Sequence, residues 1–180
     1  RYDMKLPLTS NQTTQKKWNL ILNRMNRRGK HIIDLCERMY GNSQGVNVNY
    51  AGIVVSFPSA PCQNWHFDGE EEGMYNIFCP LVNVTMENGG TEFQEGSHKH
   101  LKKEEHIETM PFLDAGDFLI FDYRIEHRGL SNASKVPRPI MYVSYTRWPT
   151  GDENFPDIPF STLLTSKSPK LENISFPVFH

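Results

Sequence analysis

The spacing of hydrophobic residues predicts helices near the start of the chain, between residues 9 and 41. Apolar side chains recur at three- and four-residue intervals, as they do on one face of a helix: Trp18, Ile21, Leu22, Met25, Ile32, Leu35, Cys36 and Met39. Thr9 or Ser10 is suited to cap the first turn, and Gly41 is suited to end the last one. We expect Gly29 to break this region into two runs.

From residue 46 onward the pattern is typical of β-structure. Short segments rich in Val, Ile, Phe, Tyr and Thr alternate with Gly, Pro, Asn and Asp. The candidate strands are 47–57, 63–68, 74–85, 91–95, 106–113, 117–123, 125–130 and 138–148. Eight strands without a long intervening helix predict a sandwich or a barrel.

Length and composition predict a single globular domain. The chain has 180 residues, of which 38% are hydrophobic and 22% charged, and this is ordinary for a domain with a sizeable core. We divide it into a helical part (1–45), a β core (46–148) and an irregular, proline-containing tail (149–180). The formal net charge is −2 and no apolar run could span a bilayer, so we expect no nucleic-acid and no membrane partner.

Cysteine usage favours a reducing environment. Cys36, Cys62 and Cys79 are odd in number and irregular in spacing, which does not suggest a disulfide framework. We therefore expect a cytoplasmic or other reducing intracellular compartment. The chain begins with Arg1 rather than Met, so a targeting segment could be missing.

Two histidines, one carboxylate and one arginine suggest a metal site. His66 and Asp68 are two residues apart, and on a strand both would point to the same face. With His127 they supply the two imidazoles and one carboxylate that bind non-haem Fe(II) and leave positions open. Arg138 could hold the far carboxylate of a dicarboxylic co-substrate, because its planar fork makes paired hydrogen bonds. The alternatives are a surface His-x-Asp, a core histidine and an ordinary ion pair.

Four blocks of sequence, in this order, resemble the phytanoyl-CoA dioxygenase family of Fe(II)/2-oxoglutarate dioxygenases. They are Gln63-Asn64-Trp65-His66-Phe67-Asp68; Asn88-Gly89-Gly90-Thr91 with Glu95-Gly96-Ser97-His98; Gly116-Asp117-Phe118-Leu119-Ile120-Phe121; and His127-Arg128-Gly129-Leu130-Ser131-Asn132 with Arg138. Glu95 replaces the family's usual proline, and Gly129 holds the glycine one place early. The resemblance implies a mainly β fold: a double-stranded β-helix, which is a jelly-roll or cupin-like barrel, with N-terminal helices packed on it.

The resemblance also implies the chemistry. His66, Asp68 and His127 would be the catalytic metal ligands on Fe(II), with 2-oxoglutarate taking two of the remaining positions and O2 the third. The products would be succinate, CO2 and a hydroxylated small-molecule or lipid-like substrate, and ascorbate would stimulate the reaction. Asp68 favours hydroxylation, because halogenating relatives lack this carboxylate.

The co-substrate candidates are Arg138, Asn83 and Ser134. Asn76, Asn83 and Thr85 fall on one predicted strand, and Asn83 is the preferred partner of the metal-chelating carboxylate. Ser134 could contact a co-substrate carboxylate.

Three residues close to the metal motifs are interpreted from local pattern. Gln63 and Trp65 flank His66, and they either line the substrate mouth or, for Trp65, face the other side. We expect Asn132 to fix the turn after His127 by side-chain to backbone hydrogen bonds.

Two other functional hypotheses stay open. One is a non-oxygenase metal cupin, such as an isomerase, and the other is a non-catalytic ligand-binding member of the fold. Arg138 and the blocks at Asn88 and Gly96 favour the oxygenase, because an isomerase has no need of 2-oxoglutarate.

Overall fold

The structure is a computed structural model that describes residues 1–6, 23–39, 41–42, 45–99 and 106–147. The predicted cap at Thr9 or Ser10, the first helical run up to residue 22 and the tail from residue 149 lie outside these ranges. The domain boundaries proposed for the two ends of the chain therefore stay predictions.

The described residues form two antiparallel sheets. The strands are β1 (Tyr2–Leu6), β2 (Asn47–Ser56), β3 (Met74–Pro80), β4 (Thr91–Gln94), β5 (Glu108–Thr109), β6 (Leu119–Asp122), β7 (His127–Gly129) and β8 (Arg138–Thr146). The larger sheet has the order β1-β2-β8-β3-β6, and the smaller one has the order β5-β4-β7. A short 3-10 helix, Ser97–Lys99, follows β4. The sheets do not share a strand, but the mainly β fold that was predicted is confirmed.

One helix precedes β2 in the described residues. It begins as a π-helical segment, Met25–Lys30, and continues as α1, His31–Met39. The break predicted at Gly29 is wrong, because the helix continues through this residue from Met25 to Met39. A Cβ at Gly29 would lie 2.3 Å from Cδ1 of Ile77, so glycine allows the helix to approach β3. Gly41, with φ of +89°, ends the helix as predicted. No helix in this part of the chain has the length and apolar content that a membrane span requires.

Several strand predictions need correction, and the strand predicted at 106–113 is reduced to Glu108–Thr109. The strand predicted at 74–85 ends at Pro80, since proline has no N–H with which to extend a ladder. The strand predicted at 63–68 is reduced to a single bridge at His66. The strand β1 was not predicted, although it pairs with β2 along its whole length.

The core lies on one face of the larger sheet. Successive residues of a strand point to opposite faces, so alternate residues of β2, β3 and β8 pack together against the helix. This cluster includes Met25, Ile33, Ala51, Ile53, Val55, Ile77, Cys79, Met141, Val143 and Tyr145. Each large apolar side chain buried here contributes roughly 1.5–3 kcal/mol to stability. The opposite face of the same strands is therefore free to line a cavity.

A buried carboxylate ties α1 to the sheet. Glu37 is fully buried and accepts hydrogen bonds from the Tyr75 hydroxyl, from Arg147 at 2.8 Å and from Asn42 at 2.7 Å. Burial alone would raise the pKa of Glu37, but the hydrogen bonds from Arg147, Tyr75 and Asn42 hold it below its ordinary value. The ionised form of Glu37 is thus the one that the fold stabilises.

We expect Glu37→Gln to lower the free energy of unfolding by about 3 kcal/mol at neutral pH, because it removes one partner of a buried ion pair. The folded-state pKa lies below the unfolded value of about 4.3, so the wild-type advantage exists above that pH and disappears as the pH falls through the folded-state pKa. Urea unfolding at a series of pH values measures this. The exposed Glu71→Gln is the control, and parallel pH profiles for Glu37→Gln and wild type would contradict the expectation.

Candidate metal centre

His66 and His127 face each other across an antiparallel bridge. The N–H of His66 donates to the carbonyl of His127 at 3.0 Å, and the N–H of His127 donates back at 2.8 Å. Directly opposed residues of such a pair carry their side chains on the same side. The two ring centroids are accordingly 4.5 Å apart. Backbone pairing therefore brings the sequence-distant histidine to the first motif.

Asp68 completes the triad. Its N–H donates to the carbonyl of Tyr123 at 3.2 Å, which holds the segment after His66 against the rest of the fold. Its Oδ2 lies 3.9 Å from Nε2 of His127. One ligand atom from each of the three side chains lies within 4.8 Å of the other two. Among the residues described, no other group of His, Cys, Asp and Glu meets this condition.

Both imidazoles present Nε2 as the free ligand atom. Nδ1 of His66 lies 2.9 Å from the carbonyl of Asn64, and Nδ1 of His127 lies 3.0 Å from the carbonyl of Ile125. A carbonyl only accepts, so each Nδ1 carries a hydrogen, and in the neutral ring this leaves the lone pair on Nε2. Burial lowers the pKa of His127, although the charge of Asp68 opposes this effect. The lowered pKa favours the neutral ring, which is the form that binds a metal.

Aromatic side chains exclude water from one side of the triad. Phe93 of β4 stacks on His127 with ring centroids 5.8 Å apart, and Phe121 of β6 meets its edge at 5.3 Å. His127 is consequently only 4% exposed. Two imidazole nitrogens and one carboxylate oxygen suit non-haem Fe(II), with coordination positions left for other ligands.

A cavity of about 460 Å³ opens beside the triad, and Arg138 lies in its wall. Arg138 is 2% exposed, and its Nε and Nη1 have no hydrogen-bond partner in the part of the chain that the structure describes. Burial, followed by the nearby charge of Arg1, lowers the pKa of Arg138 to about 10, so it is still a cation at neutral pH. A buried cation with unpaired N–H groups is suited to bind a carboxylate.

Arg1 is a second guanidinium in the same cavity, and the sequence pattern did not predict it. Its Nη2 donates to the carbonyl of Leu130 at 3.1 Å, and its Nε and Nη1 have no partner within the described ranges. Burial lowers the pKa of Arg1. A Cβ on Gly129 would lie 2.5 Å from Nη1 of Arg1, so glycine at this position makes room for the guanidinium.

Of the two residues predicted to flank the metal motif, Gln63 contacts the cavity and Trp65 does not. Gln63 lines the cavity, and its Oε1 accepts a hydrogen bond from the N–H of Gly129 at 2.9 Å. Trp65 does not line the cavity but stacks under Arg128, whose guanidinium carbon is 4.3 Å from the ring centroid. Thr91 of β4, which was not a predicted site residue, also lines the cavity.

The structure does not bring Asn83 or Ser134 to the triad. Asn83 is exposed beyond the end of β3, and its Oδ1 accepts a hydrogen bond from the N–H of Ala115 at 2.9 Å. The hydroxyl of Ser134 donates to Oδ1 of Asn132 at 2.7 Å. Asn132 is fully buried; its Nδ2 donates to the carbonyl of Val136 at 2.8 Å and its Oδ1 accepts from the N–H of Ser134 at 3.0 Å, which are the side-chain to backbone bonds predicted for this turn.

The chain is similar in sequence to dioxygenases. Residues 55–140 match the family model described as phytanoyl-CoA dioxygenase. The dioxygenase hkm4 of Aspergillus hancockii is 31% identical over 117 residues, which cover 56% of this chain and 38% of the relative. The dioxygenase aneA of Aspergillus aculeatus is 30% identical over 148 residues, which cover 70% of this chain and 49% of the relative. The chain thus spans half or less of the length of these two relatives.

A solved structure shares the fold. It is the non-haem alpha-ketoglutarate-dependent epimerase SnoN from nogalamycin biosynthesis, with a TM-score of 0.56 and 18% identity. The match covers 68% of this chain and 57% of SnoN. At this identity the likeness concerns the arrangement of strands alone.

Proposed function

Since residues 55–140 belong to the phytanoyl-CoA dioxygenase family of oxygenases, we propose that the protein is an Fe(II)/2-oxoglutarate-dependent dioxygenase that hydroxylates a small-molecule or lipid-like substrate. The observation that carries the proposal is the triad of His66, Asp68 and His127 beside the buried Arg138, all lining one cavity. When bound, Fe(II), 2-oxoglutarate and O2 supply the oxidising chemistry, with succinate and CO2 as products.

The triad would hold Fe(II) through two imidazole nitrogens and one carboxylate. His66 and His127 turn their Nε2 atoms away from the backbone carbonyls that fix their Nδ1 hydrogens. The single negative charge of Asp68 offsets part of the metal's charge. The Phe93 and Phe121 rings keep this side of the site dry, which strengthens electrostatic interactions within it.

The co-substrate would be held by the two guanidinium groups. Arg138 offers unpaired N–H groups to the carboxylate of 2-oxoglutarate that is remote from the metal, and Arg1 adds further donors in the same cavity. Gln63 and Thr91 are the polar wall residues that replace Asn83 and Ser134 as candidates for the remaining co-substrate contacts.

The rest of the cavity favours an apolar substrate surface. Val54, Phe78 and Ile140 supply hydrophobic wall, while the charged groups belong to the metal and co-substrate positions or have hydrogen-bond partners in the wall. Asp3, for example, accepts a hydrogen bond from the Tyr142 hydroxyl at 2.9 Å. Mostly apolar walls with a few placed polar groups are typical of small-molecule sites.

An anaerobic titration with Fe(II) and 2-oxoglutarate tests the proposal. We expect a weak visible charge-transfer band that needs both components, and release of succinate when air and ascorbate are admitted. The control is either component alone, which should give no band. Metal binding without a band would contradict the oxygenase and favour an isomerase-like cupin or a ligand-binding module.

A further inference from the structure

We propose that Asn76 is a positioning residue that makes Asp68 bind the metal through a single oxygen. Nδ2 of Asn76 donates to Oδ2 of Asp68 at 2.6 Å. The inference rests on the proposed function, because it concerns the same metal site. It adds a role for a side chain that the triad itself does not include.

Asn76 lies on a strand that is paired on both sides, whereas Asp68 lies on an irregular segment. Asn76 belongs to β3, which is paired on both sides: Asn76 lies opposite Phe121 of β6 and opposite Ser144 of β8. Only 2% of Asn76 is exposed. Asp68, by contrast, lies outside the named strands, just after the isolated bridge at His66. A fixed donor on the sheet can therefore set the orientation of a carboxylate on an irregular segment.

Each of the three triad side chains makes a hydrogen bond to a residue outside the triad. Nδ1 of His66 is hydrogen-bonded to the carbonyl of Asn64, and Nδ1 of His127 to the carbonyl of Ile125. Oδ2 of Asp68 accepts a hydrogen bond from the amide of Asn76. Contacts of this kind orient metal ligands and tune their affinity. The two imidazoles use backbone carbonyls as acceptors. The carboxylate needs a donor instead, and the side-chain amide of Asn76 supplies it.

A charge-assisted N–H bond limits how a carboxylate can coordinate. Oδ2 of Asp68 is also the oxygen that lies 3.9 Å from Nε2 of His127, so the amide of Asn76 takes one of its two or so lone-pair sites and leaves the other for the metal. A carboxylate that rotates freely can chelate through both oxygens and fill an additional coordination position. Chelation by Asp68 would take a position that a two-histidine, one-carboxylate site must keep open for its other ligands.

The hydrogen bonding of Asn76 differs from that of asparagines with a structural role. In Asn132 and in Asn88, both ends of the buried amide have partners in the described structure. In Asn76, Oδ1 is buried without a partner among the described residues. Turning the amide over would place Oδ1 against the Asp68 carboxylate, so the contact itself fixes the orientation. The amide of Asn76 therefore donates to Asp68, while its Oδ1 is left without a hydrogen-bond partner among the described residues.

Titration with Co(II) tests the role of Asn76 without turnover. We expect Asn76→Leu, which keeps the branched shape but has no donor, to bind Co(II) 10- to 100-fold more weakly, about the loss found when a ligand's outer partner is removed. The intensity of the Co(II) visible absorption should also change, because it reports coordination number. Asn76→Gln keeps an amide donor and should recover part of the affinity.

The matched control is Asn88→Ala, which removes a buried asparagine whose partners, Asn83 and Thr85, lie away from the cavity. It should lose stability and keep wild-type Co(II) binding. Wild-type affinity and spectrum in Asn76→Leu would overturn the inference and leave the proposed function intact. Failure of the wild-type protein to bind Co(II), or binding that survives His66→Ala, would overturn the proposed function, and the inference with it.

Discussion

The variant His127→Ala is expected to lose metal-dependent turnover of 2-oxoglutarate by more than about 100-fold, since loss of a mere outer partner of a ligand already costs 10- to 100-fold. His127 supplies a neutral Nε2 from a position that is 4% exposed, so water cannot easily replace it with the same geometry. His66 and Asp68 alone would leave the metal with two protein ligands. We expect His66→Ala and Asp68→Ala to behave in the same way.

Two measurements on His127→Ala separate loss of the metal from loss of the fold. Bound iron after anaerobic loading should fall together with succinate release, while far-ultraviolet circular dichroism of the metal-free protein stays like that of wild type. His106→Ala is the matched control, because His106 contacts Gln94 at 3.2 Å and does not line the cavity. Turnover retained by His127→Ala would show that the ligand assignment is wrong.

His66 and Asp68 could be predicted from local spacing, whereas the assignment of His127 depended on the sequence blocks around it. The two-residue spacing of His66 and Asp68 is enough to place both on one side of an extended segment. His127 follows a segment with a strong β pattern, and the blocks around it restrict its role. The structure adds the reason why His127 lies beside His66, which is the reciprocal backbone pairing of the two residues.

The positions of the remaining cavity residues depend on which strands pair and where each strand ends, and the sequence pattern does not determine this. Arg1 reaches the cavity because β1 pairs with β2 at the edge of the larger sheet, a pairing between segments more than 40 residues apart. Asn83 was chosen from a strand that was drawn too long. Once β3 ends at Pro80, its face no longer includes Asn83, and Asn76 is the polar residue of β3 that lines the cavity.

Strand alternation does not predict where Gln63 and Trp65 lie relative to the cavity. Gln63 and Trp65 are two apart, and simple alternation would place both on one face. The segment makes only one bridge, at His66, so strict alternation does not hold there, and Trp65 instead stacks under Arg128. Irregular segments near a site are thus where pattern-based prediction is weakest.

Arg138→Ala is expected to weaken binding of 2-oxoglutarate by roughly 30-fold or more, which corresponds to the loss of at least about 2 kcal/mol from a buried, hydrogen-bonded charge pair. Affinity for Fe(II) alone should stay close to wild type, because Arg138 is not one of the three clustered ligands. The stability of the ligand-free protein should change little, since the Nε and Nη1 groups have no described partner to lose. Calorimetric titration and the charge-transfer band measure the first effect, and urea unfolding measures the last.

Two further variants separate the charge of Arg138 from its shape. Arg138→Lys keeps the positive charge but not the planar fork, so its affinity for 2-oxoglutarate should lie between those of wild type and Arg138→Ala. Arg128→Ala removes a guanidinium that pairs with Glu92 at 2.7 Å and does not line the cavity, and it should bind the co-substrate normally. If Arg138→Ala bound 2-oxoglutarate as tightly as wild type, the buried cation would have another purpose. A metal cupin without 2-oxoglutarate would then explain the same triad better than an oxygenase does.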